Sequence, residues 1–364
     1  MNILATFPEF LTSVWSFTKA ILVLLFMITV HEFGHYIAGK KLGFKIMEFS
    51  IGFGPAIYKR KLKSGEDFSL RAIPLGGYCA FLGEGEDVST SEMSFDKQAP
   101  WKRIIVLIAG ALMNFLTTIV IVVLTFGISG QYVYKVNKVL PNMEGYQSEI
   151  VLKEGDLILS ANDVDIYTTT DLSTVLNKAK EDGKDFVNLE IVRNNERTEI
   201  KAPFRNYQST GIDQNGNQIT TTAYGLGFSP TTSLYKFGFF ETLGRSFKYC
   251  FIMAGEVLSV IGQLFTGKIG LNMLSGPVST ITITAEIASQ GFRQLLELIT
   301  LIGVNLAVFN LLPIPALDGC KVLLTTIEWI RGKPVSKKVE GILDMAGFIF
   351  LIGFAILVDL IKVI

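Results

Sequence analysis

A nearly uninterrupted apolar run, Ala20–Val30, ends directly in the pentapeptide HEFGH at residues 31–35, which holds both histidines of the chain. On a helix this pattern places His31 and His35 one turn apart on the same face, where both can bind one metal ion, with Glu32 beside the metal-bound water. Two imidazoles and a carboxylate at membrane depth are costly, and therefore indicate function. The apolar flank argues against a chance match on a surface helix.

Composition favours a membrane protein that carries a polar domain. The 364 residues are 49% hydrophobic and 18% charged, with a mean hydropathy of +0.42. This is too apolar for an ordinary soluble protein and too mixed for a pure bundle of spanning helices. A net charge of zero gives no indication of nucleic-acid binding. Three cysteines (Cys79, Cys250 and Cys320) without metal-type spacing predict no disulfide framework.

Four segments are long and apolar enough to cross a bilayer, which takes about 20 residues. They are Phe17–Ala38, Ile104–Ile128, Leu295–Leu317 and Gly341–Val358. The first contains the histidines and has no basic region before it, so a cleaved signal peptide explains it poorly. A further stretch, Tyr235–Phe265, mixes charged residues with apolar ones at helical spacing. We interpret it as an amphipathic helix at the membrane interface.

Lysine and arginine predict the orientation of these spans, because short cytoplasmic loops are enriched in both. The loops between spans one and two and between spans three and four are basic, whereas the terminal segments are nearly free of basic residues. Both loops are therefore expected in the cytoplasm, with both termini and the long middle segment outside. A fifth span at Tyr235–Phe265 would move the basic loop Arg331–Lys338 outside and separate Asp318 from the histidines, so we expect four spans.

The middle segment predicts a small soluble domain at residues 131–205, between a membrane part at 1–130 and a strand extension with the amphipathic helix at 206–292. Residues 293–364 form the second membrane part. Alternating patterns at Tyr134–Asn137 and Val187–Ile191 predict strands, and Asp171–Lys180 predicts a helix capped by Asp171. With Gly155-Asp156 before an apolar strand, this order resembles a PDZ domain of bacterial proteases. The sequence GLGF at residues 225–228 falls after this domain, and we expect it to be a strand leading back to the membrane.

A catalytic zinc site has three protein ligands and an open position for water, so a carboxylate or a cysteine must complete the site. The best candidate is Asp318, which follows Asn310 and two prolines, Pro313 and Pro315, at the end of span three. The prolines stop regular helix and predict a loop that lines a cavity. From spacing alone, a ligand and a helix cap or solvated loop acid are equally open for Asp318.

The HExxH pentapeptide and the segment NLLPIPALDG, Asn310–Gly319, together resemble the site-2 protease family of intramembrane zinc metalloproteases. The similarity is closest to bacterial members related to the regulator-of-sigma-E protease, here with a single PDZ domain. In that family the aspartate is the third metal ligand, which implies this role for Asp318. The family's asparagine lies near the scissile bond, which implies that Asn310 is a substrate or oxyanion contact. An interhelical hydrogen bond is the alternative role for Asn310.

The similarity to this family extends over nearly the whole chain. Similar segments are Gly52–Pro55, Ile73–Tyr78, Leu274–Val278 and the G-x-x-x-N pattern of Gly110 and Asn114. The resemblance makes Asn114 a second candidate for a substrate or oxyanion contact. Two residues depart from the family pattern without touching a ligand. Ala111 stands where proline is common, and Cys320 stands where glycine or serine is usual.

The resemblance implies a polytopic α-helical membrane protein with an intramembrane Zn²⁺ site held by His31, His35 and Asp318, in a bacterial cytoplasmic membrane with the site near its cytoplasmic side. Glu32 would act as general base and acid. Expected substrates are single-span membrane proteins or signal-peptide remnants, with the PDZ-like domain as a size filter or peptide-end reader. The segment Lys45–Tyr58 could form a hairpin that pairs with an unwound substrate, or could pack as an ordinary re-entrant loop.

Two other functions fit the same motifs. The protein could be a non-catalytic PDZ-bearing membrane scaffold, which would bind no metal, or a metal transporter. The transporter is disfavoured because the charged residues cluster at one membrane depth and no inverted repeat is evident.

Overall fold

The computed structural model describes residues 7–84, 91–144, 149–212 and 218–363. It divides into a mainly helical unit, Met1–Thr125 with Leu243–Ile364, and a β-rich unit, Phe126–Thr242. The helices are α1 (Phe7–Leu42), α2 (Pro100–Ser129), α3 (Thr169–Glu181), α4 (Phe239–Phe265), α5 (Pro277–Gln290), α6 (Phe292–Asn310), α7 (Asp318–Arg331) and α8 (Lys337–Val363). The strands are β1 (Ile46–Lys61), β2 (Asp67–Phe81), β3 (Gln131–Val139), β4 (Leu157–Ala161), β5 (Val164–Asp165), β6 (Phe186–Arg193), β7 (Glu196–Pro203), β8 (Arg205–Ile212), β9 (Gln218–Gly225) and β10 (Phe228–Tyr235).

Five helices of the described residues have the length and apolar composition needed to cross a membrane, namely α1, α2, α4, α6 and α8. Four of them coincide with the predicted spans. The fifth, α4, is the segment expected to be amphipathic at the interface, and its length and composition also satisfy the requirement for a span. Helix α6 ends at Asn310, before the predicted end at Leu317, because the prolines that follow cannot continue a helix.

Apolar side chains hold the helical unit together around α1. Val23 and Met27 of α1 form a buried cluster with Leu298 and Ile302 of α6. Helix α5, which the sequence analysis did not identify, begins with proline at its first turn after Gly276. It packs against α1, α6 and α8. Helices α1, α5 and α6 therefore pack closely at this level of the unit.

The β1–β2 pair is a folded sheet and not a simple hairpin. Ala56–Lys61 pairs with Asp67–Arg71, while Gly77–Phe81 folds back onto Ile46–Ile51. Residues 48–51 of β1 also pair with residues 67–70 of β2, so this inner part of β1 has a partner on both sides. Within the described residues, Gly77–Phe81 is therefore paired along one side only and forms an edge of this sheet. A hairpin within Lys45–Tyr58, one of the two expectations for this segment, is not formed, because Ile46–Lys61 is one continuous strand that pairs with β2.

In the β-rich unit one sheet has the order β10-β3-β4-β6-β7, with β5 beside β4, while β8 and β9 form a separate hairpin. Its core is an apolar cluster that includes Val136, Ile158, Leu189 and Ile191, each fully buried. The predicted strands lie in β3 and β6. The sheet extends past the predicted boundary at residue 205, because β10 pairs with β3 along its whole length.

Two details of this unit differ from the expectation. Helix α3 is capped by Thr168, while Asp171 is the third helical residue and bonds back to the Thr168 N–H, which makes a capping box. The GLGF segment is a turn and not a strand leading back to the membrane. Gly225 ends β9, Gly227 has a positive φ of 68°, and Phe228 begins the edge strand β10.

Candidate metal centre

Helix α1 brings the two imidazoles together as its 3.6-residue period requires. The Nε2 atoms of His31 and His35 lie 3.1 Å apart, and the two rings meet edge to face at 84°. Both residues are buried. The Nδ1 of His35 is 2.8 Å from the Val106 carbonyl on α2. With Nδ1 as the donor, this hydrogen bond leaves Nε2 of His35 free to bind a metal.

Asp318 joins the histidines although it follows His31 by 287 positions in the chain. It is the first residue of α7, and its Oδ2 lies 2.9 Å from Nε2 of His31 and 3.4 Å from Nε2 of His35. The loop Leu311–Leu317 makes this approach possible. Ala316 in that loop has a positive φ of 72°, which turns the chain from α6 into α7.

Two ion pairs hold α7 in this position. Lys321 Nζ lies 3.0 Å from Glu84 Oε1, just after β2. Farther along the helix, both carboxylate oxygens of Glu328 accept hydrogen bonds from Arg103 of α2, at 3.0 and 2.9 Å. Arg103 and Glu328 are mostly buried, at 8% and 17% side-chain exposure. The position of Asp318 is thus tied to both the β1–β2 sheet and α2.

The three donor atoms fit a zinc ion. Ligand atoms 2.0–2.2 Å from a tetrahedral zinc ion lie roughly 3.3–3.6 Å from one another. The three separations of 2.9, 3.1 and 3.4 Å are close to this range. Two imidazole nitrogens and one carboxylate oxygen are the three-ligand set of many catalytic zinc sites, and a fourth position is left for water. The site could therefore hold Zn²⁺ through His31, His35 and Asp318.

Glycine at position 110 lets α2 approach the histidines. A Cβ atom there would lie 2.4 Å from Nε2 of His35 and 2.7 Å from Cε1 of His31. Across the same interface, a Cβ at Gly34 would lie 2.2 Å from the Ala109 carbonyl oxygen. Any larger residue at either position would separate the two helices. The close approach of α1 and α2 therefore explains why the G-x-x-x-N pattern has glycine at position 110.

Glu32 faces the β1–β2 sheet from α1. Its side chain is half-buried and lies next to the backbone N–H of Cys79. A Cβ at Gly77 would come within 3.5 Å of Glu32 Cγ and 2.8 Å of the Ser50 carbonyl. The edge strand Gly77–Phe81 therefore borders the carboxylate that neighbours the candidate metal ligands.

The other residues singled out by sequence lie outside the ligand cluster. Asn310 is half-buried at the end of α6. Asn114, one turn from Gly110 on α2, is fully buried. Cys320 is a buried free thiol. Burial raises the pKa of Cys320, with the nearby charges of Asp344 and Glu340 acting in the same direction, which keeps the thiol neutral and disfavours it as a competing ligand.

Sequence reasoning missed the groups that the backbone contributes. The Val106 carbonyl and the Cys79 N–H border the site. Any residue type could supply the carbonyl, and any type other than proline could supply the N–H. No sequence pattern could have identified them, because every peptide unit carries the same two groups.

Comparison of the sequence with known proteins places the chain in a family. The profile of peptidase family M50 matches residues 19–354. The chain belongs to peptidase family M50, the site-2 proteases. A protein of Clostridium perfringens named as a zinc metalloprotease is 34% identical, covering 94% of this chain and 96% of its own length. Another so named in Fusobacterium nucleatum is 31% identical, covering 94% of this chain and 97% of its own.

A more distant relative is a protein of Enterococcus faecalis named as the protease Eep. It is 27% identical, with 93% of this chain and 96% of the relative covered. Family membership and these relatives establish the M50 chain as a zinc metalloprotease. Its apolar helices make it a multi-pass membrane protein with an inserted β-rich unit.

Proposed function

We propose that this M50 protease cleaves peptide bonds within membrane-embedded segments, either of single-span membrane proteins or of signal-peptide remnants, in a bacterial cytoplasmic membrane. The observation that carries the proposal is the convergence of His31, His35 and Asp318 within 3.4 Å of one another. Two of these ligands lie in an apolar helix long enough to span the bilayer. A hydrolytic site at that depth acts on peptide bonds that soluble proteases do not reach.

Each side chain at the centre has a distinct role in this proposal. His31, His35 and Asp318 hold the ion. When bound, Zn²⁺ would lower the pKa of a water molecule to about 7 and would act as a Lewis acid towards the scissile carbonyl. Glu32 accepts the proton of the attacking water and returns it to the departing amine nitrogen. Asn310, at the mouth of the loop before Asp318, contacts the substrate carbonyl in this scheme.

The substrate must be extended at the scissile bond, because a helix hides its own backbone. The edge strand Gly77–Phe81 has no second strand beside it among the described residues and lies next to Glu32, which supports substrate binding by strand addition. The sequence analysis assigned this role to Lys45–Tyr58. The inner part of that strand is paired on both sides, so Gly77–Phe81 is the better candidate.

Four spans remain the proposed topology, with α4 at the interface. Lys337 at the start of α8 pairs with Asp96, which precedes α2, so α2 and α8 begin on one side of the membrane. Asp359, 22 residues later and thus about 33 Å along α8, accepts hydrogen bonds from the backbone and side chain of Ser279. The start of α5 therefore lies on the other side.

The end of α4 is close to that same side. Tight turns hydrogen-bonded at Lys268 and Leu274 follow Phe265, so the short connection to α5 is too folded to cross about 30 Å of hydrocarbon. The β-rich unit between α2 and α4 contains no candidate span among its described residues. Both ends of α4 then lie on the outer side, and the basic loops lie in the cytoplasm as charge predicts.

The β-rich unit is proposed to be a PDZ-like reader of peptide ends. Its strand order places Phe228–Tyr235 at the sheet edge directly after the GLGF turn. Lys180, near the end of α3, donates a hydrogen bond to the Tyr224 carbonyl beside this turn. A peptide could pair with the edge strand and direct its terminal carboxylate to the turn.

Two variants test the proposal in proteoliposomes with a single-span model substrate. Glu32→Gln should lower cleavage by at least about 100-fold, because the proton acceptor is lost, while bound zinc is unchanged. Asp318→Asn should lose zinc, as measured by metal analysis of the purified protein. Asp344→Asn is the matched control, an acid of the same unit outside the ligand cluster, and should keep both zinc and activity. Full cleavage by Glu32→Gln would overturn the mechanism, and unchanged zinc in Asp318→Asn would remove that ligand.

A further inference from the structure

Asn114 is a fully buried amide without a partner. Its exposed fraction is 0%, and neither Oδ1 nor Nδ2 makes a hydrogen bond within the described residues. Buried amides are almost always hydrogen-bonded, because an unmet donor or acceptor costs free energy. The unpaired amide of Asn114, in an otherwise apolar stretch of α2, therefore requires an explanation, and a functional partner is one that can be tested.

The second group of this kind is Nδ1 of His31, which is buried and unpartnered within the described part of the chain. The two histidines differ in this respect, since Nδ1 of His35 has the Val106 carbonyl at 2.8 Å. Metal-binding histidines almost always donate their second ring nitrogen to an acceptor, which fixes the tautomer and the ring orientation. No backbone acceptor for Nδ1 of His31 is found among the described residues.

The residues one turn before and one turn after Asn114 show which part of α1 it faces. A Cβ atom added at Gly110, one turn before it, would lie 2.7 Å from Cε1 of His31, the ring atom between the two nitrogens. One turn after it, the side chains of Thr118 and of Met27 on α1 both lie where a Cβ atom added at Gly303 of α6 would be. Met27 precedes His31 by one turn of α1. The amide therefore lies between these two levels, on the face of α2 that packs against α1.

We propose that Asn114 is a positioning residue for His31. Its Oδ1 accepts a hydrogen bond from Nδ1 of His31 through one bridging water, and so fixes Nε2 as the metal-binding nitrogen. Through this water, Asn114 is thus the hydrogen-bond acceptor for Nδ1 of His31, as the Val106 carbonyl is for Nδ1 of His35. This inference rests on the zinc centre of the proposed function, and it differs from a direct role in substrate binding, for which a fully buried amide is poorly placed.

The experiment measures metal binding by the full-length protein in detergent. Zn²⁺ affinity is obtained by competition with a chromophoric chelator, and the visible spectrum of the Co²⁺-loaded protein reports the ligand geometry. Asn114→Leu, which keeps the size and removes the acceptor, should weaken Zn²⁺ binding about 10- to 100-fold and alter the Co²⁺ spectrum. Asn114→Asp, which keeps an acceptor oxygen, should restore both to near the wild-type values.

Thr118→Val is the matched control, because Thr118 is also fully buried, one turn away on the same helix. It should bind zinc like the wild type, and an equal loss in this variant would overturn the proposal in favour of helix packing. Wild-type affinity and spectrum in Asn114→Leu would also overturn it, and a raised KM in that variant would then support a substrate contact. If Asn114→Leu does not fold, Asn114→Ala provides the comparison with Asn114→Asp. Absence of zinc from the wild-type protein would instead refute the metal centre itself.

Discussion

In the β-rich unit the buried carboxylate of Asp156 accepts two hydrogen bonds from Arg193, at 2.8 and 2.7 Å. In the helical unit the buried amide of Asn114 and Nδ1 of His31 have no partner among the described residues. Burying a polar group is tolerated where its hydrogen bonds are met. The Asp156–Arg193 pair of the β-rich unit therefore meets its own hydrogen bonds, whereas Asn114 and His31 of the helical unit leave buried polar atoms to which we assign a role at the proposed metal centre.

The two units also differ in how their closest contacts are made. Ile158 and Leu189 are fully buried in the sheet core of the β-rich unit. Around the candidate metal ligands the two helices meet through glycine: the backbone of Gly34 lies against the backbone of α2, and that of Gly110 lies against the two imidazoles. A side-chain core tolerates small changes with a graded loss of stability. Where two backbones are in contact, even one added methyl group must displace a helix. We therefore expect substitutions at the two glycines to have a larger effect than substitutions in the sheet core.

Gly110→Ala should have the largest effect. Its Cβ would overlap both imidazoles, at 2.4 Å from Nε2 of His35, and a displacement of about 1 Å at a catalytic site can cost about 100-fold in rate. We expect zinc stoichiometry and cleavage both to fall by at least that factor. Gly127→Ala on the same helix, where nothing lies within 4 Å, is the control. Normal zinc content in Gly110→Ala would show that the helices separate without cost.

Ile158→Ala should have an intermediate effect, confined to the β-rich unit. Removing a fully buried isoleucine typically costs about 2–5 kcal/mol. Hydrogen exchange should show faster opening of the amides of β3, β4 and β6, while zinc content stays unchanged. Val164→Ala, at a side chain 43% exposed on the adjacent β5, should change little. A loss of zinc in Ile158→Ala would contradict the separation of the two roles.

The smallest effect concerns Glu66, next to the turn between β1 and β2. Burial raises the pKa of its carboxyl, but hydrogen bonds from Tyr36, Lys40 and Ser64 outweigh this and lower the pKa from 4.5 to about 2. The pKa of Glu66 is lower in the folded protein than in the unfolded chain, so the ionised carboxylate stabilises the folded state. This stabilisation is complete above pH 4.5 and is lost as the pH falls towards 2. Hydrogen exchange at residues 62–66 should accelerate over that window.

Glu66→Gln should remove this pH dependence, because the side chain no longer titrates. Glu92→Gln, at a carboxylate 93% exposed, should leave it intact. An identical acceleration in wild type and Glu66→Gln would show that other groups cause the loss.

The sequence supplied the local elements because local patterns encode them. Four apolar runs became helices, and the 3.6-residue period alone put His31 and His35 on one face. Helix α7 was missed, although its first residue was the predicted ligand, since an amphipathic segment after two prolines resembles a loop. The boundary at residue 205 was too early, because the pairing of Phe228–Tyr235 with Gln131–Val139 joins strands far apart in sequence.

The amino-acid sequence by itself determined which segments are apolar, where helices must stop and which two histidines share a face, because these depend on neighbours within a few residues. Only the tertiary structure decided that Asp318 lies 2.9 Å from His31, that a backbone carbonyl orients His35 and that Gly77–Phe81 is an edge beside Glu32. Those facts arise from packing between distant segments, where shape and close backbone approach, rather than local pattern, fix the distances.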